Sequence, residues 1–247
     1  MAKSDWEVIT GDCLQILPTL APGSVEAVVT SPPYNTLATA HDRGGMHSGN
    51  GWLDKAKYSD DLPEADYQQQ QRDVFRELRR VCRGTVWINH KARFRDGFGI
   101  HPLSIYGMDD LFAEIIWDRG VSMVLNAGRF AHSHEAVYGY GRPVWWDADQ
   151  NTQMTVWRIT PERGRNDHPC PFPMELASRL IRASVPPGGL VLDPYCGSGT
   201  TLAAARKLGR LAIGIEQDER YAAIARRRIA DAGFPLLEMD NGKIQTR

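Results

Sequence analysis

The chain has 247 residues, 42% of them hydrophobic and 24% charged, and its 29 basic residues against 30 acidic ones give a formal net charge of -1. That length suits one large α/β domain or two small ones with a sizeable core, while the near-neutral balance excludes a uniformly basic nucleic-acid coat. The apolar runs are too short to span a bilayer and Met1 to Trp6 lacks a signal-peptide core, so a cytoplasmic protein with no membrane partner is expected.

Residues 6–10 (WEVIT) read as a strand ending at Gly11 and Asp12, followed by a short helix through Leu14, Ile16 and Leu17 that stops at Pro18. Asp12 therefore lies past a strand's carboxyl end, where it either faces a ligand or N-caps the helix. Val25, Ala27, Val28 and Val29 mark a buried strand that Pro32 and Pro33 must end, since neither can donate a ladder hydrogen bond. Ser31 to Tyr34 then combines a hydroxyl, a rigid turn with fixed carbonyls and an aromatic face. The set suits a flat ring bearing an amine: Ser31 and the Pro32 carbonyl accept the amine hydrogens while Tyr34 stacks. A proline-terminated strand with an incidental tyrosine is the plain alternative.

Residues 36–62, rich in Gly, His, Asp and Ser, are predicted to form a long loop over the substrate. His41 and His47 within it lack the companions of a metal site. Residues 63–81 have helical spacing and lead through Gly84 into a strand at 85–88. Between Arg72 and Arg95 eight basic residues stand against two acidic ones. With Arg119, Arg129, Arg142, Arg158, Arg163 and Arg165 they either line a phosphate-facing surface or form structural ion pairs. Residues 111–117 and 136–140 are two further strands, and His132 and His134 between them read as structural rather than metal-binding. Residues 143–165 show no period and interleave Trp145, Trp146 and Trp157 with arginines, a composition that fits either base stacking and phosphate contact or a loop packed down by its tryptophans.

Residues 168–173 (HPCPFP) precede a helix at 174–183, and a PPGG turn follows. The stretch 190–202 (LVLDPYCGSGTTL) reads as a buried strand ending at Asp193, a glycine loop, and a helix starting near Thr200. Gly197 and Gly199 let the backbone approach a ligand, and the helix start offers unpaired N–H groups to an anion. Without the Lys-Ser/Thr ending of a phosphate loop, a carboxylate is the expected anion. Residues 211–215 form another strand ending in Glu216, placed to accept hydrogen bonds from ribose hydroxyls, and a helix at 219–230 follows. Cys13, Cys82, Cys170 and Cys196 are widely spaced, without a Cys-x-x-Cys pair, and are expected to be buried packing residues rather than a disulfide framework or a zinc site.

These stretches together resemble the S-adenosylmethionine-dependent DNA amino-methyltransferases of the beta group. The resemblance is carried by TSPPYN at 30–35, HPCPFPMELASRLI at 168–181, DPYCGSGTT at 193–201 and GIEQDERY at 214–221, with weaker support from GDCLQIL at 11–17 and SHEAVYGY at 133–140. It implies an α/β, Rossmann-like methyltransferase fold with a seven-stranded, mostly parallel sheet and circularly permuted motif order. Strands ending at Asp193 and Glu216 would insert between those ending at Asp12 and Ser31. Within that domain, residues 1–142 would be the catalytic half with its covering loop, 143–165 a small target-recognition segment, and 166–247 the cofactor half. The implied cofactor is S-adenosylmethionine. By the same resemblance Asp12 would bind its adenine amine, Glu216 its ribose, and Asp193, Tyr195, Gly197, Gly199, Thr200 and Thr201 its methionine portion, with His168 and Phe172 closing that end. Tyr195 stands where the family usually has Phe, and the segment after His168 and Pro169 lacks the usual lysine before its last proline.

The implied catalytic residues are Ser31, Pro32, Pro33 and Tyr34, acting on a nucleotide flipped out of double-stranded DNA. Serine in first place resembles cytosine-N4 enzymes more than adenine-N6 enzymes, which mostly carry Asp there, so cytosine N4 is the expected target and adenine N6 the alternative. Methylation of RNA or of protein glutamine, and a cofactor-binding regulator without turnover, are the remaining readings. Carbon-5 methylation would need a cysteine nucleophile, and Cys170 lies outside the tetrapeptide. The recognition segment is small, which favours a short site or help from a second subunit; a homodimer and a cognate restriction endonuclease are the expected protein partners.

Overall fold

The strands at the centre are short apolar runs closed by glycine, proline or an acidic residue, and they assemble in an order far from that of the sequence. The structure is a computed structural model that describes residues 5–35, 62–95, 98–120, 130–161, 172–233, 237–240 and 243–246. Its strands are β1 (Trp6–Thr10), β2 (Val25–Thr30), β3 (Cys82–His90), β4 (Arg93–Arg95), β5 (Phe98–Ile100), β6 (Leu111–Asp118), β7 (His134–Tyr140), β8 (Val156–Arg158), β9 (Leu190–Asp193), β10 (Leu211–Glu216), β11 (Leu237–Asp240) and β12 (Lys243–Thr246). The helices are α1 (Cys13–Ile16), α2 (Glu64–Val81), α3 (Leu103–Tyr106), α4 (Met174–Ser184), α5 (Thr200–Lys207) and α6 (Glu219–Asp231).

The main sheet runs β1-β10-β9-β2-β3-β7-β6-β8. From β1 to β3 every neighbouring pair is parallel, and β7 is antiparallel to the strand on either side. The insertion of β10 and β9 between β1 and β2 is as expected. The sheet has eight strands rather than seven, because β8 pairs parallel to β6 in the middle of the segment expected to be irregular. Three residues are too few to show a two-residue period, but Trp157 points inward and is buried while Val156 and Arg158 are exposed. Trp157 is thus a core residue, its indole N–H held by the Met154 carbonyl at 2.7 Å. The short β4–β5 hairpin, α3 and the β11–β12 hairpin likewise left no readable period.

Helices cover both faces of the sheet, which is how a buried parallel sheet must be enclosed. On one face Leu176, Ala177, Leu180 and Ile181 of α4 and small residues of α5 and α6 meet Val29, Trp87 and Val191. On the other, α2 presents Tyr67, Val74, Leu78 and Val81, spaced at helical intervals, to Val28, Val86 and Leu192. Helix α2 also carries Glu64 and Asp66 in its first turn and Arg79 and Arg80 in its last, charges that complement the helix dipole. Since α2 leaves β2 on one face and α5 leaves β9 on the other, the chain reverses direction between these neighbours. The carboxyl side of such a switch point is where open α/β sheets bind ligands. No helix among the described residues is long and apolar enough to cross a membrane.

Candidate functional site

Because β1, β10, β9, β2 and β3 are parallel, Asp12, Glu216, Asp193, Ser31 and Asn89 all lie at one edge of the sheet, and the antiparallel β7 brings its first residues, His134 and Glu135, to the same edge. The two halves of the site are tied directly. The Thr30 hydroxyl donates to Asp193 Oδ1 at 2.7 Å across the switch point, in a buried contact 163 residues apart in sequence. Tyr195 N–H donates to the same oxygen at 3.1 Å. Burial pushes the Asp193 carboxyl up to about 6, against the pull of these hydrogen bonds and one from Thr201.

Glu216 organises the glycine turn. Its Oε2 accepts from Gly197 N–H and its Oε1 from Asp218 N–H, both at 2.9 Å, which leaves the carboxylate acceptor capacity for a hydroxyl donor. Burial raises this carboxyl as well. Asp12 caps α1 through Leu14 N–H at 2.9 Å, so capping occupies one of its oxygens. Gly197 and Gly199 both have positive φ, 51° and 81°. Gly199 also serves packing: a Cβ there would sit 2.9 Å from the Ala225 Cβ, so this glycine lets α5 pack on α6. Thr200 and Thr201 start α5 and are buried, with Thr200 Oγ1 accepting from Arg228 at 2.8 Å. Tyr195 turns its ring into the core beneath α2, its hydroxyl accepting from Gln71 at 3.3 Å. Phe172 packs against the other core. His168 and Cys170 lie outside the described residues, as do Arg129, Arg163, Arg165 and all of the expected covering loop except Leu62.

The tetrapeptide is pinned from beneath. Pro33 O accepts from the Tyr67 hydroxyl at 2.8 Å, and that hydroxyl also meets His90 Nε2 at 2.9 Å. Burial holds His90 down to about 3, a neutral ring. Tyr34 lies against it, ring centroids 4.7 Å apart, with Lys91 Nζ 5.2 Å from the Tyr34 centroid. The Tyr34 hydroxyl sits 2.8 Å from Ser31 Oγ, 2.6 Å from Asn89 Nδ2 and 3.0 Å from Glu135 Oε2. Burial, and then the Glu135 charge, raise this phenol well above its ordinary range. Glu135 is itself buried, accepting from Asn89 Nδ2 at 2.8 Å and, on Oε1, from Arg119 at 3.2 Å. Asn89, His90, Tyr67 and Glu135 were not among the residues singled out in the sequence. The one available signal was the position of Glu135 within SHEAVYGY, at the head of an otherwise apolar strand.

Five of the eight basic residues between Arg72 and Arg95 form ion pairs with described residues. Arg76 pairs with Asp73, Arg79 with Asp110, Arg80 with Glu77, Arg83 with Glu26 and Arg93 with Glu64. Arg80 also holds the Leu17 and Leu20 carbonyls, and Arg158 pairs with Asp118. Cys13, Cys82 and Cys196 are buried free thiols, raised by burial to about 11 for the first two. His132 and His134 stack on each other at 5.2 Å, and no metal-holding cluster of His, Cys, Asp or Glu occurs among the described residues.

A family model described as DNA methylase matches residues 25–227. The chain is 28% identical to the type II methyltransferase M.SmaI of Serratia marcescens, over 90% of each protein. It is 27% identical to the type II methyltransferase M.HinfI of Haemophilus influenzae, over 91% of this chain and 68% of that one. Among solved structures it is similar to a putative DNA modification methylase of Thermus thermophilus complexed with S-adenosyl-L-methionine, at 26% identity and a TM-score of 0.64, covering 92% of this chain and 93% of that one. PvuII DNA methyltransferase, cytosine-N4-specific, shares the fold at 17% identity and a TM-score of 0.69, over 98% and 89% of the two chains.

Proposed function

Because the chain belongs to the DNA methylase family, we propose that it transfers the methyl group of S-adenosylmethionine to an exocyclic amine of double-stranded DNA, and that this amine is N4 of cytosine. The carrying observation is the 2.7 Å bond from Thr30 to Asp193, which sets the tetrapeptide beside the glycine turn at the switch point. The donor and acceptor set suits the cofactor: the Glu216 carboxylate for hydroxyls, and the left-handed turn at Gly197 with the start of α5 for the charged amino-acid end. Asp12, Asp193, Tyr195, Thr200 and Thr201 complete that wall. When bound, S-adenosylmethionine supplies an electrophilic methyl group on sulfur.

On the acceptor side, Ser31 Oγ and the Pro32 carbonyl hold the amine hydrogens while Tyr34 lines the ring. An amine whose hydrogens are so held gives up part of its delocalisation into the ring, and its lone pair is aimed for in-line attack. Rate then comes from positioning and preorganised hydrogen bonding rather than from a nucleophilic side chain. Serine, a neutral acceptor, leads the tetrapeptide, which supports the cytosine reading over the adenine one. Residues 143–165 provide the recognition segment, within which Trp146 is exposed. A homodimer and a restriction endonuclease of matching specificity are the protein partners this reading suggests. Incubation with S-adenosylmethionine labelled in its methyl group tests it: the label is expected in duplex DNA, lost in Ser31→Ala, and label entering RNA or protein instead would refute it.

A further inference from the structure

Behind the tetrapeptide lies a chain of hydrogen bonds, Ser31 to Tyr34 to Glu135, whose far end is a buried carboxylate on a different strand. At the Tyr34 oxygen three side chains converge: Ser31 Oγ at 2.8 Å, Asn89 Nδ2 at 2.6 Å and Glu135 Oε2 at 3.0 Å. The orientation of the Asn89 amide is fixed by its neighbours, because its nitrogen lies 2.8 Å from Glu135 Oε2 and a flip would set two acceptors face to face. An amide nitrogen only donates and a carboxylate only accepts. The single Tyr34 proton is therefore committed to Glu135, a nearer and charged acceptor than the Asn89 backbone carbonyl at 3.4 Å. The Tyr34 oxygen, already accepting from Asn89, accepts from Ser31 too. Ser31 must then spend its own proton inward and turn its lone pairs outward.

We propose that Glu135 is a positioning residue for methyl transfer: through Tyr34 it makes Ser31 an acceptor toward the target amine and receives, by the same path, the proton that the methylated amine must lose. The proposal rests on the amine-methylation reading above and extends it. The atoms balance. As the amine nitrogen bonds to the methyl carbon, the carbon–sulfur bond breaks with its electron pair remaining on sulfur, and the nitrogen becomes cationic. Its proton passes to Ser31 Oγ, that of Ser31 to Tyr34, and that of Tyr34 to Glu135, leaving a neutral methylated amine and a neutral carboxylic acid that later releases the proton to water. Arg119 steadies the arrangement by holding Glu135 Oε1 at 3.2 Å and the His132 carbonyl at 3.2 Å. The raised Tyr34 phenol keeps its proton at neutral pH and so remains a donor.

The test uses the full chain with Glu135→Gln, Glu135→Asp, Tyr34→Phe and the double variant Glu135→Gln/Tyr34→Phe, measuring kcat, the KM for DNA and the Kd for S-adenosylmethionine. Glu135→Gln is expected to lower kcat about 100-fold, in the range for losing a positioned proton acceptor, with KM and Kd within about threefold. Tyr34→Phe should lose as much. The double variant should lose no more than either single one, since both break one chain. Glu135→Asp, which keeps the carboxylate, should recover to within about tenfold of the parent. A kcat within about threefold of the parent in Glu135→Gln overturns the proposal, as does a double variant whose loss is the product of the two single losses, or a loss carried by KM or Kd. Should Glu135→Gln not fold, Tyr34→Phe decides alone: a fall in kcat at constant KM supports the chain, and an unchanged kcat overturns it. If the unmodified protein itself places no methyl group on DNA, the underlying reading fails rather than this extension.

Discussion

Replacing Thr30 by Val swaps a hydroxyl for a methyl of nearly the same volume and cuts the 2.7 Å bond that joins β2 to the end of β9. The bond ends on a buried carboxyl, and a hydrogen bond to a charged group contributes about 1.5–3 kcal/mol, so a loss of about 2 kcal/mol is expected at pH 8. For a chain of this size that is a fall in Tm of roughly 4–8 °C. The pH dependence follows from the raised Asp193 carboxyl, at about 6 in the folded protein against an ordinary 3.8. A raised group contributes stability that is complete below its unfolded value and lost as pH rises through its folded one. Thr30 moderates that loss by holding the ionised form. The deficit of Thr30→Val should therefore be largest at pH 8 and about half as large at pH 5, where the folded carboxyl is mostly protonated. Urea unfolding at both pH values, with an unchanged m-value, measures it, and His90 titrates alike in both proteins and cancels. Equal deficits at the two pH values, or none at either, would refute the assignment of an ionised Asp193 held by Thr30.

Gly199→Ala is expected to cost about 2–5 kcal/mol, since a left-handed φ strains alanine and its Cβ overpacks Ala225 between α5 and α6; thermal unfolding reads the loss, and weaker cofactor binding should accompany it. Arg93, 3% exposed, holds Glu64 through both carboxylate oxygens. Arg93→Met should destabilise by about 1.5–3 kcal/mol, the range for hydrogen bonds to a charged group, and Arg93→Met/Glu64→Met by less, because the single change leaves the half-buried Glu64 carboxylate without its partner; denaturant midpoints decide. Burial keeps His90 neutral with a folded value of about 3, far below its ordinary 6.5. A base depressed on folding costs stability as pH falls through that window, so His90→Gln should flatten the acid limb of the stability curve between about pH 6.5 and 4.

The sequence showed the strands wherever an apolar run meets a hard stop: Val29 before Pro32, Leu192 before the glycine turn, Ile215 before Glu216. Those stops also lie at the carboxyl edge of the parallel strands, so Ser31, Asp193 and Glu216 come together at the ends of adjacent strands. What stayed hidden depends on contacts rather than on period. Strand β8 is three residues long, and its membership of the sheet rests on its pairing with β6 and the burial of Trp157, neither of which leaves a period in the sequence. Arginines whose spacing left phosphate contact and ion pairing equally open find Glu26, Glu64 and Asp110, acids tens of residues away. Glu135 and Asn89 reach Tyr34 only because β7 and β3 pair antiparallel, with Asn89 opposite Val137. A carboxylate at the head of a strand otherwise reads as a solvated end.

Digesting DNA methylated by this protein to nucleosides and identifying the product by mass spectrometry goes straight to the chemistry assigned to Ser31. N4-methyldeoxycytidine is the expected product. N6-methyldeoxyadenosine would contradict the choice of base, and 5-methyldeoxycytidine would contradict transfer to an amine altogether.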